Sequence, residues 1–204
     1  MNAPRQPADV AAMFPLMLDV TAAPVMLIGG ASLTGRLQAL DDCGARQAHV
    51  FAPDPPAELT ALAAGRLTAR WPEAADFSRI QPRLAFISDM DDARAAAFRA
   101  QAKDAGALVH VQDRIPLCDF HLPAKVRRGH LQVTVSTDGT AAGLSRLIRQ
   151  YLETEVFGPE WAARVDEVAA ARTAWKAQGL AFADLAREVE SLVAARGWLP
   201  VKKP

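Results

Sequence analysis

Short, mainly apolar runs recur through the first half of the chain, and polar segments with helical spacing separate them. The runs cover residues 25–28, 49–51, 84–88 and 107–111. Continuous apolar runs of this length are typical of strands buried on both faces, as in a parallel sheet. Because these strands alternate with helical segments, the pattern predicts an α/β protein with a doubly wound, Rossmann-like parallel sheet.

The segment after the first strand carries the clearest helix signal in this half. Leu33, Leu37 and Leu40 recur at helical spacing directly after two glycines. We expect this helix to end near Asp42, and Gly44 is well placed as its C-terminal cap.

Two further helices are expected before the middle of the chain. One covers residues 58–64, and the other covers residues 93–105 with Asp91 or Asp92 as its N-cap. We expect residues 1–12 to form a flexible arm and residues 13–20 to form an edge segment leading into the first strand. Residues 67–71 are expected to form a short third strand.

The alternation of strand and helix stops in the second half. Residues 117–125 are expected to be irregular, residues 127–129 to form a basic turn, and residues 131–137 to form a half-exposed strand. A turn at Asp138 and Gly139 then leads to an amphipathic helix. That helix covers residues 141–153, and its apolar face comprises Leu144, Leu147, Ile148, Tyr151 and Leu152.

Two more helices complete the chain, over residues 160–178 and 182–195, with Gly179 between them. The sequence therefore predicts a βα domain over residues 1–122, a small connecting unit over residues 123–153 and a helical domain over residues 154–204.

Composition narrows the class of protein. The 23 basic and 23 acidic residues balance, so no net charge favours binding to nucleic acid or to a membrane surface. No apolar run reaches the roughly 18 residues of a membrane span. Cys43 and Cys118 lie far apart and fit neither a disulfide framework nor a zinc site. The first nine residues lack an apolar signal core. We expect a cytoplasmic protein without nucleic-acid or membrane partners.

Ligands of parallel sheets bind beyond the carboxyl ends of the strands. The segments to examine are therefore residues 29–33, 51–54, 88–91 and 110–113. In the first of them, strand, glycine turn and helix follow one another, which is the arrangement that brings a backbone close to a pyrophosphate. The motif is incomplete, because Thr34 stands where the last glycine of G-x-G-x-x-G would be. Many strand-to-helix turns carry glycine for steric reasons alone.

Asp113 is the candidate acid/base residue. It ends an apolar strand at the ligand-bearing edge, where partial desolvation is expected to raise the pKa of its carboxyl group and favour proton transfer near neutral pH. A turn or helix-cap aspartate is the alternative.

The other candidates also have two interpretations. His110 is either part of the site or a structural histidine, and Arg127 and Arg128, with Lys125, either grip a carboxylate-rich ligand or form a solvated loop. Thr137 either belongs to an anion-holding turn or caps the next helix. His121 and His130 lack a partner at metal-ligand spacing, so we expect no resident metal.

Several of these segments resemble one known family. Residues 14–19, 24–30, 44–46 and 51–53 resemble the opening of the precorrin-2 dehydrogenase / sirohydrochlorin ferrochelatase family, which also forms the N-terminal part of siroheme synthase. The later matches are more specific and keep the order and spacing of that family: residues 109–113, 117–120, Pro123, 127–129, 131–137 and Gly139. The resemblance covers residues 13–153 and leaves the helical tail matched in length and type only.

The resemblance implies a fold and an activity. Family members have an NAD-binding Rossmann domain, a small dimerisation segment and a helical domain, so residues 123–153 are expected to support a homodimer. They oxidise the tetrapyrrole precorrin-2 to sirohydrochlorin with NAD, and some also insert Fe²⁺ as a substrate. Asp113 matches the acid/base aspartate of the family.

The same resemblance assigns two further groups of residues. The residues expected to contact NAD are Gly29, Gly30, Ala31, Ser32, Leu33, Pro53, Asp54, Ser88, Asp89 and Met90. The residues expected to bind the substrate are His110, Arg127, Arg128 and Thr137. We expect NAD rather than NADP, because Asp54 and the lack of an arginine directly after the second strand disfavour a 2′-phosphate.

The chain departs from the family pattern at five places. Ala31 replaces a third glycine, Leu37 a lysine, the Asp89-Met90 pair an alanine-threonine pair, His110 an asparagine and Asp138 a glycine. These departures motivate a second hypothesis, a tetrapyrrole-binding or carrier protein that keeps the fold and has lost NAD turnover. A third hypothesis is an NAD(P)-sensing module with a helical interaction tail.

Overall fold

The computed structural model describes residues 13–200, so the predicted arm over residues 1–12 lies outside the described residues. The chain divides into two compact units, the first ending at His121 and the second beginning at Leu122. The division into three domains, with boundaries at 122 and 153, stays a prediction.

The first unit contains a parallel sheet of five strands in the order β3-β2-β1-β4-β5. This topology confirms the predicted α/β, Rossmann-like fold. The strands are β1 (Val25–Ile28), β2 (Ala48–Phe51), β3 (Leu67–Thr68), β4 (Leu84–Ile87) and β5 (Leu108–Val111). The helices between them are α1 (Leu33–Asp41), α2 (Ala57–Ala63), α3 (Ala74–Ile80) and α4 (Asp92–Asp104).

The ends of α1 and α4 follow the sequence signals. Gly44 adopts a φ of +76° after α1, and the Ala45 N–H donates to the Leu40 carbonyl at 3.0 Å, which closes the helix with a Schellman-type cap. At the start of α4, the Asp91 carboxylate accepts the Arg94 N–H at 2.8 Å. The two predicted caps are therefore in place.

Alternate residues of the central strands pack into two separate hydrophobic cores. Val25 and Leu27 of β1 face a core formed with α1 and α2, whereas Met26 and Ile28 face a core formed with α3 and α4. All four side chains are fully buried. The continuous apolar run of β1 thus reflects burial on both faces of a parallel sheet.

Helix α3 was not predicted from the sequence. It begins with a reciprocal capping box in which the Glu73 side chain accepts from the N–H of Asp76 and the Asp76 side chain accepts from the N–H of Glu73. Two acidic residues three positions apart before Phe77 and Ile80 were the available signal. Asp76 is buried, and its carboxylate also binds Arg70 at 2.7 Å and Arg79 at 3.2 Å.

We expect this carboxylate to make the stability of the protein depend on acidity. The hydrogen bond from Arg70 lowers the pKa of Asp76 to about 2, despite the opposing effect of burial. Since the folded pKa lies below the ordinary value, the stabilisation is present above about pH 4 and is lost as the pH falls toward 2, an effect of about 2 kcal/mol.

Urea unfolding of Asp76→Asn at several pH values tests this expectation. The variant loses about 2 kcal/mol at pH 7 and loses less additional stability than the wild type between pH 5 and pH 2. Ser78→Ala, an exposed position on the same helix without a titrating group, keeps the wild-type pH profile. Parallel profiles of Asp76→Asn and the wild type would contradict the assignment.

Three segments differ from the expectations. Residues 13–20 have no strand, and Ile115–Leu117 form one 3₁₀ turn. Residues 124–128 form a strand, β6 (Ala124–Arg128), so the prediction of an irregular segment up to residue 125 and a basic turn at residues 127–129 was wrong. The alternation of apolar and polar residues in this strand is weak, because Val126 is its one buried residue and three of the other four are charged.

The second unit combines an antiparallel hairpin with helices. Strand β6 pairs with β7 (Leu131–Val135), and Arg128 lies opposite Leu131 across the two-residue turn. The helices are α5 (Ala142–Tyr151), α6 (Trp161–Ala177) and α7 (Phe182–Arg196), with one π-helical turn at Leu152–Val156 after α5. No helix between residues 13 and 200 is both long and apolar enough to span a membrane.

The apolar face of α5 is exposed. The side chains of Leu144, Leu147 and Tyr151 keep 52%, 57% and 61% of their accessible surface. Ile148 lies on the same face and is also exposed. This face is therefore not covered within the described residues of the chain.

Candidate functional site

Three neighbouring strands end level at one edge of the sheet. Ile28 of β1 pairs with Ile87 of β4, and Ile87 pairs with Val111 of β5. The turns that follow these strands therefore lie side by side. From β1 the chain adds β2 and β3 on one side of the sheet and then β4 and β5 on the other. The strand order therefore reverses between β1 and β4, and this is the topological switch point at which α/β proteins bind ligands.

The glycine turn after β1 packs directly against the loop after β4. A Cβ atom on Gly29 would lie 2.4 Å from the Ser88 carbonyl oxygen, so no larger residue fits. A Cβ atom on Gly30 would lie 3.3 Å from both Cβ and Oδ2 of Asp89. Gly29 therefore has a steric role within the sheet edge in addition to any role toward a ligand.

The Asp89 side chain connects this loop to the start of α1 through hydrogen bonds. Its backbone is left-handed, with a φ of +56°. Its Oδ2 accepts the N–H of Ser32 at 2.8 Å, and its Oδ1 accepts the hydroxyl of Ser32 at 2.7 Å. The Ser88 hydroxyl contacts Oδ2 at 3.3 Å. Asp89 thus caps a helix that begins 56 positions earlier, at Leu33.

The Asp89 carboxylate carries a negative charge at neutral pH. Burial alone would raise the pKa of this group, but hydrogen bonds from Ser32, Ser88 and the Gly30 N–H outweigh burial and place the pKa below its ordinary value. The first turn of α1 holds no acidic residue of its own. Asp89 therefore supplies the anion that the positive end of this helix favours.

Two predicted cofactor residues follow β2. Pro53 is half-buried, and Asp54 is exposed at the same edge of the sheet. An acidic residue after the second strand of a dinucleotide-binding fold is suited to accept a hydrogen bond from a ribose hydroxyl. Leu33 is buried in the core beneath α1, so any contribution it makes to a ligand is through its backbone.

Asp113 lies in the turn directly after β5. Its φ is +58°, and the contact to its carboxylate comes from the Gln112 side chain at 3.5 Å. The side chain is exposed. The expectation that this carboxylate would be partly desolvated at the strand end was therefore wrong, because the left-handed turn leaves Asp113 exposed.

Arg114 fixes the turn that carries Asp113. Its Nη2 donates to the Met90 carbonyl at 2.7 Å, and its Nε donates to Asp92 at 2.7 Å. These bonds join the turn after β5 to the loop after β4. The sequence analysis missed Arg114, and its place directly after the strand-end aspartate was the available signal.

His110 is half-buried one strand repeat before this turn. Its Nδ1 lies 3.2 Å from the Phe120 carbonyl oxygen and 3.6 Å from the Cys118 sulfur. Burial lowers the pKa of His110, and the positive charge of Arg36 acts in the same direction. The imidazole is therefore neutral at pH 7. Burial also raises the pKa of the Cys118 thiol, which does not favour a reactive thiolate.

Arg36 is a second residue that the sequence analysis missed. It is half-buried on α1, and its guanidinium carbon lies 5.1 Å from the centre of the Phe86 ring. Burial lowers the pKa of this guanidinium. The signal was its position, because Leu33, Arg36, Leu37 and Leu40 follow the spacing of one helix face.

The remaining predicted substrate residues belong to the second unit. Arg128 donates to the Phe157 carbonyl at 2.9 Å and contacts Glu153 at 3.4 Å, whereas Arg127 is exposed on the strand. The Thr137 hydroxyl accepts the Ala141 N–H at 3.1 Å, directly before α5 begins. The structure thus gives Arg128 and Thr137 internal partners.

Comparisons with known proteins identify the family of the chain. Residues 16–124 match a family model described as putative NAD(P)-binding. The chain belongs to this family. It is 33% identical over 144 residues to a siroheme synthase of Neisseria meningitidis serogroup C and 36% identical over 142 residues to one of Ectopseudomonas mendocina, in each case over 69% of this chain.

The matches support the family of this chain, but they cover only part of the curated relatives. The chain spans 29% and 30% of the length of these two curated relatives. A solved structure of SirC, a precorrin-2 dehydrogenase, superposes with a TM-score of 0.70 at 20% identity and covers 93% of each chain, so it has the same fold. The family resemblance drawn from the sequence is confirmed.

The first unit fits a dinucleotide in its topology and in its glycine turn. Gly29 and Gly30 keep the backbone bare where α1 begins, and the helix N-terminus favours an anion. Asp89 opposes the fit, because its carboxylate already binds both donors of Ser32. Among the described residues, no group of three or more His, Cys, Asp or Glu side chains is placed to hold a metal ion.

Proposed function

We propose that this protein oxidises precorrin-2 to sirohydrochlorin in siroheme biosynthesis, with NAD⁺ as the hydride acceptor. The observation that carries the proposal is the position of Asp113 in the turn after β5, at the edge where the glycine turn after β1 also lies. A hydride acceptor and a proton acceptor can therefore approach one substrate from the same side of the sheet.

The proposed reaction removes one hydride and one proton from precorrin-2. NAD⁺, when bound, supplies the hydride acceptor. The start of α1 and the Gly29–Gly30 backbone would hold the diphosphate. Asp54 would accept a hydrogen bond from a ribose hydroxyl, which favours NAD over NADP. An oxygen of the exposed Asp113 carboxylate takes the proton, and Arg114 fixes the turn from which it does so.

Precorrin-2 carries several carboxylates, which calls for cations and hydrogen-bond donors. We assign this role to His110. The assignment of the same role to Arg127, Arg128 and Thr137 rests on the family resemblance alone. Arg36 joins them, because it is a half-buried guanidinium whose described contact is an aromatic ring rather than a carboxylate.

Two further proposals accompany this function. The exposed apolar side chains of Leu144, Leu147, Ile148 and Tyr151 support a homodimer formed through α5. A sedimentation-equilibrium mass of one chain would contradict it. Cytoplasmic localisation and insertion of Fe²⁺ into sirohydrochlorin, again with Asp113 as the proton acceptor, are proposed on the family resemblance alone.

A second candidate function is tetrapyrrole binding without NAD-dependent turnover. The observation that favours it is the Asp89 carboxylate on the Ser32 donors, which places a negative charge where the diphosphate would lie. The two functions share the fold and the tetrapyrrole, and they differ in the dinucleotide.

An anaerobic absorbance assay with precorrin-2 separates these functions. We expect conversion to sirohydrochlorin with NAD⁺ and formation of one NADH per product. Binding of precorrin-2 without turnover at millimolar NAD⁺ would favour the second function. Binding of NAD⁺ without any effect on precorrin-2 would favour an NAD(P)-sensing module. Adding Fe²⁺ to the product tests for chelatase activity.

A further inference from the structure

Asp89 occupies the part of the turn where a phosphate would be bound. Its Oδ2 lies 2.8 Å from the Ser32 nitrogen, and its Oδ1 lies 2.7 Å from the Ser32 hydroxyl oxygen. An N–H and a hydroxyl at the start of a helix are the donors that phosphate oxygens use in such turns. One carboxylate therefore occupies both donors of this residue.

The same carboxylate also lies against the bare backbone of the turn. A Cβ atom on Gly30 would approach Asp89 Oδ2 to 3.3 Å. The absence of a side chain at Gly30 thus makes room for the Asp89 side chain in the structure described here. A diphosphate that approached this backbone as closely would overlap the carboxylate.

Charge adds to the overlap. The first turn of α1 has no acidic residue, and Asp89 supplies the negative charge at its N-terminus from a loop 57 positions away from Ser32. A diphosphate placed beside an ionised carboxylate that lacks a cation between them is repelled.

We propose that the Asp89 side chain is a built-in competitor for the diphosphate of the dinucleotide, so that it sets the affinity of this chain for its cofactor. This inference rests on the proposed function in that it takes the glycine turn to be the dinucleotide site. The dinucleotide binds when the Asp89 carboxylate leaves the Ser32 donors, and the free protein keeps the turn ordered by using Asp89 in place of the ligand.

Titration calorimetry with NAD⁺ on the full chain tests the proposal. Asp89→Gly removes the side chain and suits the left-handed backbone, whereas Asp89→Asn keeps the shape and removes the charge. We expect Asp89→Gly to bind NAD⁺ at least about ten-fold more tightly than the wild type and Asp89→Asn to lie between them. Asp91→Asn removes a charge two positions away, keeps a helix-capping side chain and leaves the affinity unchanged.

Adenosine, which lacks the diphosphate, is the matched ligand for saturation-transfer NMR. Its binding should be the same in the wild type and in Asp89→Gly. Equal or weaker binding of NAD⁺ by Asp89→Gly and Asp89→Asn overturns the proposal, and so does a gain of equal size for adenosine. A melting temperature without ligand that falls in Asp89→Gly, but rises more steeply with NAD⁺ than in the wild type, supports it.

The two proposals fail separately. If the Asp89 variants gain NAD⁺ affinity and precorrin-2 is still not oxidised, the proposed reaction is wrong and the competitor remains. If precorrin-2 is oxidised and the Asp89 variants gain no affinity, the competitor is wrong and the reaction remains.

Discussion

Replacing Asp113 with asparagine is expected to lower kcat for NAD-dependent oxidation of precorrin-2 by about 10²–10⁴-fold, because the variant loses its proton acceptor. Asparagine is the appropriate replacement. The backbone of Asp113 has a φ of +58°, a conformation that asparagine adopts more readily than alanine. A loss of rate in Asp113→Asn therefore reports on the carboxylate and not on a strained turn.

Steady-state kinetics and NAD⁺ titration, performed on the same preparation, check this prediction. The affinity for NAD⁺ should stay within two-fold or so of the wild type, since we place Asp113 toward the substrate and not toward the cofactor. Asp91→Asn is the matched control, because it removes the same charge from an exposed position at the same edge of the sheet. An unchanged kcat in Asp113→Asn would remove Asp113 from the mechanism.

Strands β1 and β4 could be predicted from the sequence because burial on both faces leaves a continuous apolar run. Val25–Ile28 illustrates this, since all four side chains enter one of the two cores. Helix α3 was not predicted. It has seven residues, and its buried apolar residues are Phe77 and Ile80. Its ends depend on a capping box and on arginines outside its apolar pattern.

The strand β6 shows a different limit of sequence analysis. Arg127 and Arg128 stand before Gly129, which is a pattern typical of a basic turn. The structure instead places both in a strand whose partner, β7, supplies the hydrogen bonds. Pairing with a neighbour overrides local preference, and the identity of that neighbour is not encoded within the segment itself.

The positions of the candidate residues were easier to predict than their surroundings. Parallel strands bring their carboxyl ends to one edge, so the location of Ser88 and Asp113 follows from topology. The direction of Asp89 does not, because it depends on a left-handed backbone and on a partner 57 positions away. The exposure of Asp113 was not foreseen either, because it also depends on a left-handed backbone.

Replacing Gly29 with alanine is expected to destabilise the protein strongly. The new Cβ would lie 2.4 Å from the carbonyl oxygen and 2.6 Å from the hydroxyl of Ser88. The Ser88 backbone cannot move away easily, because its N–H donates to the Ile28 carbonyl at 3.0 Å. The Gly29 N–H is likewise held by the Phe51 carbonyl at 3.0 Å. Separating β1 from β4 to relieve this contact is expected to cost about 3 kcal/mol.

Urea unfolding of Gly29→Ala measures this cost, and Gly35→Ala is its control. Gly35 lies inside α1, and a Cβ atom there would meet no other heavy atom within 4 Å. Alanine at this position should therefore stabilise the protein by about 0.5–1 kcal/mol, because glycine is unfavourable inside a helix. Opposite signs for the two variants would show that the sheet edge requires Gly29 for packing, independently of any cofactor. If Gly29→Ala is as stable as the wild type, the close approach of β1 and β4 is wrong, and with it the geometry that places Asp89 on the glycine turn.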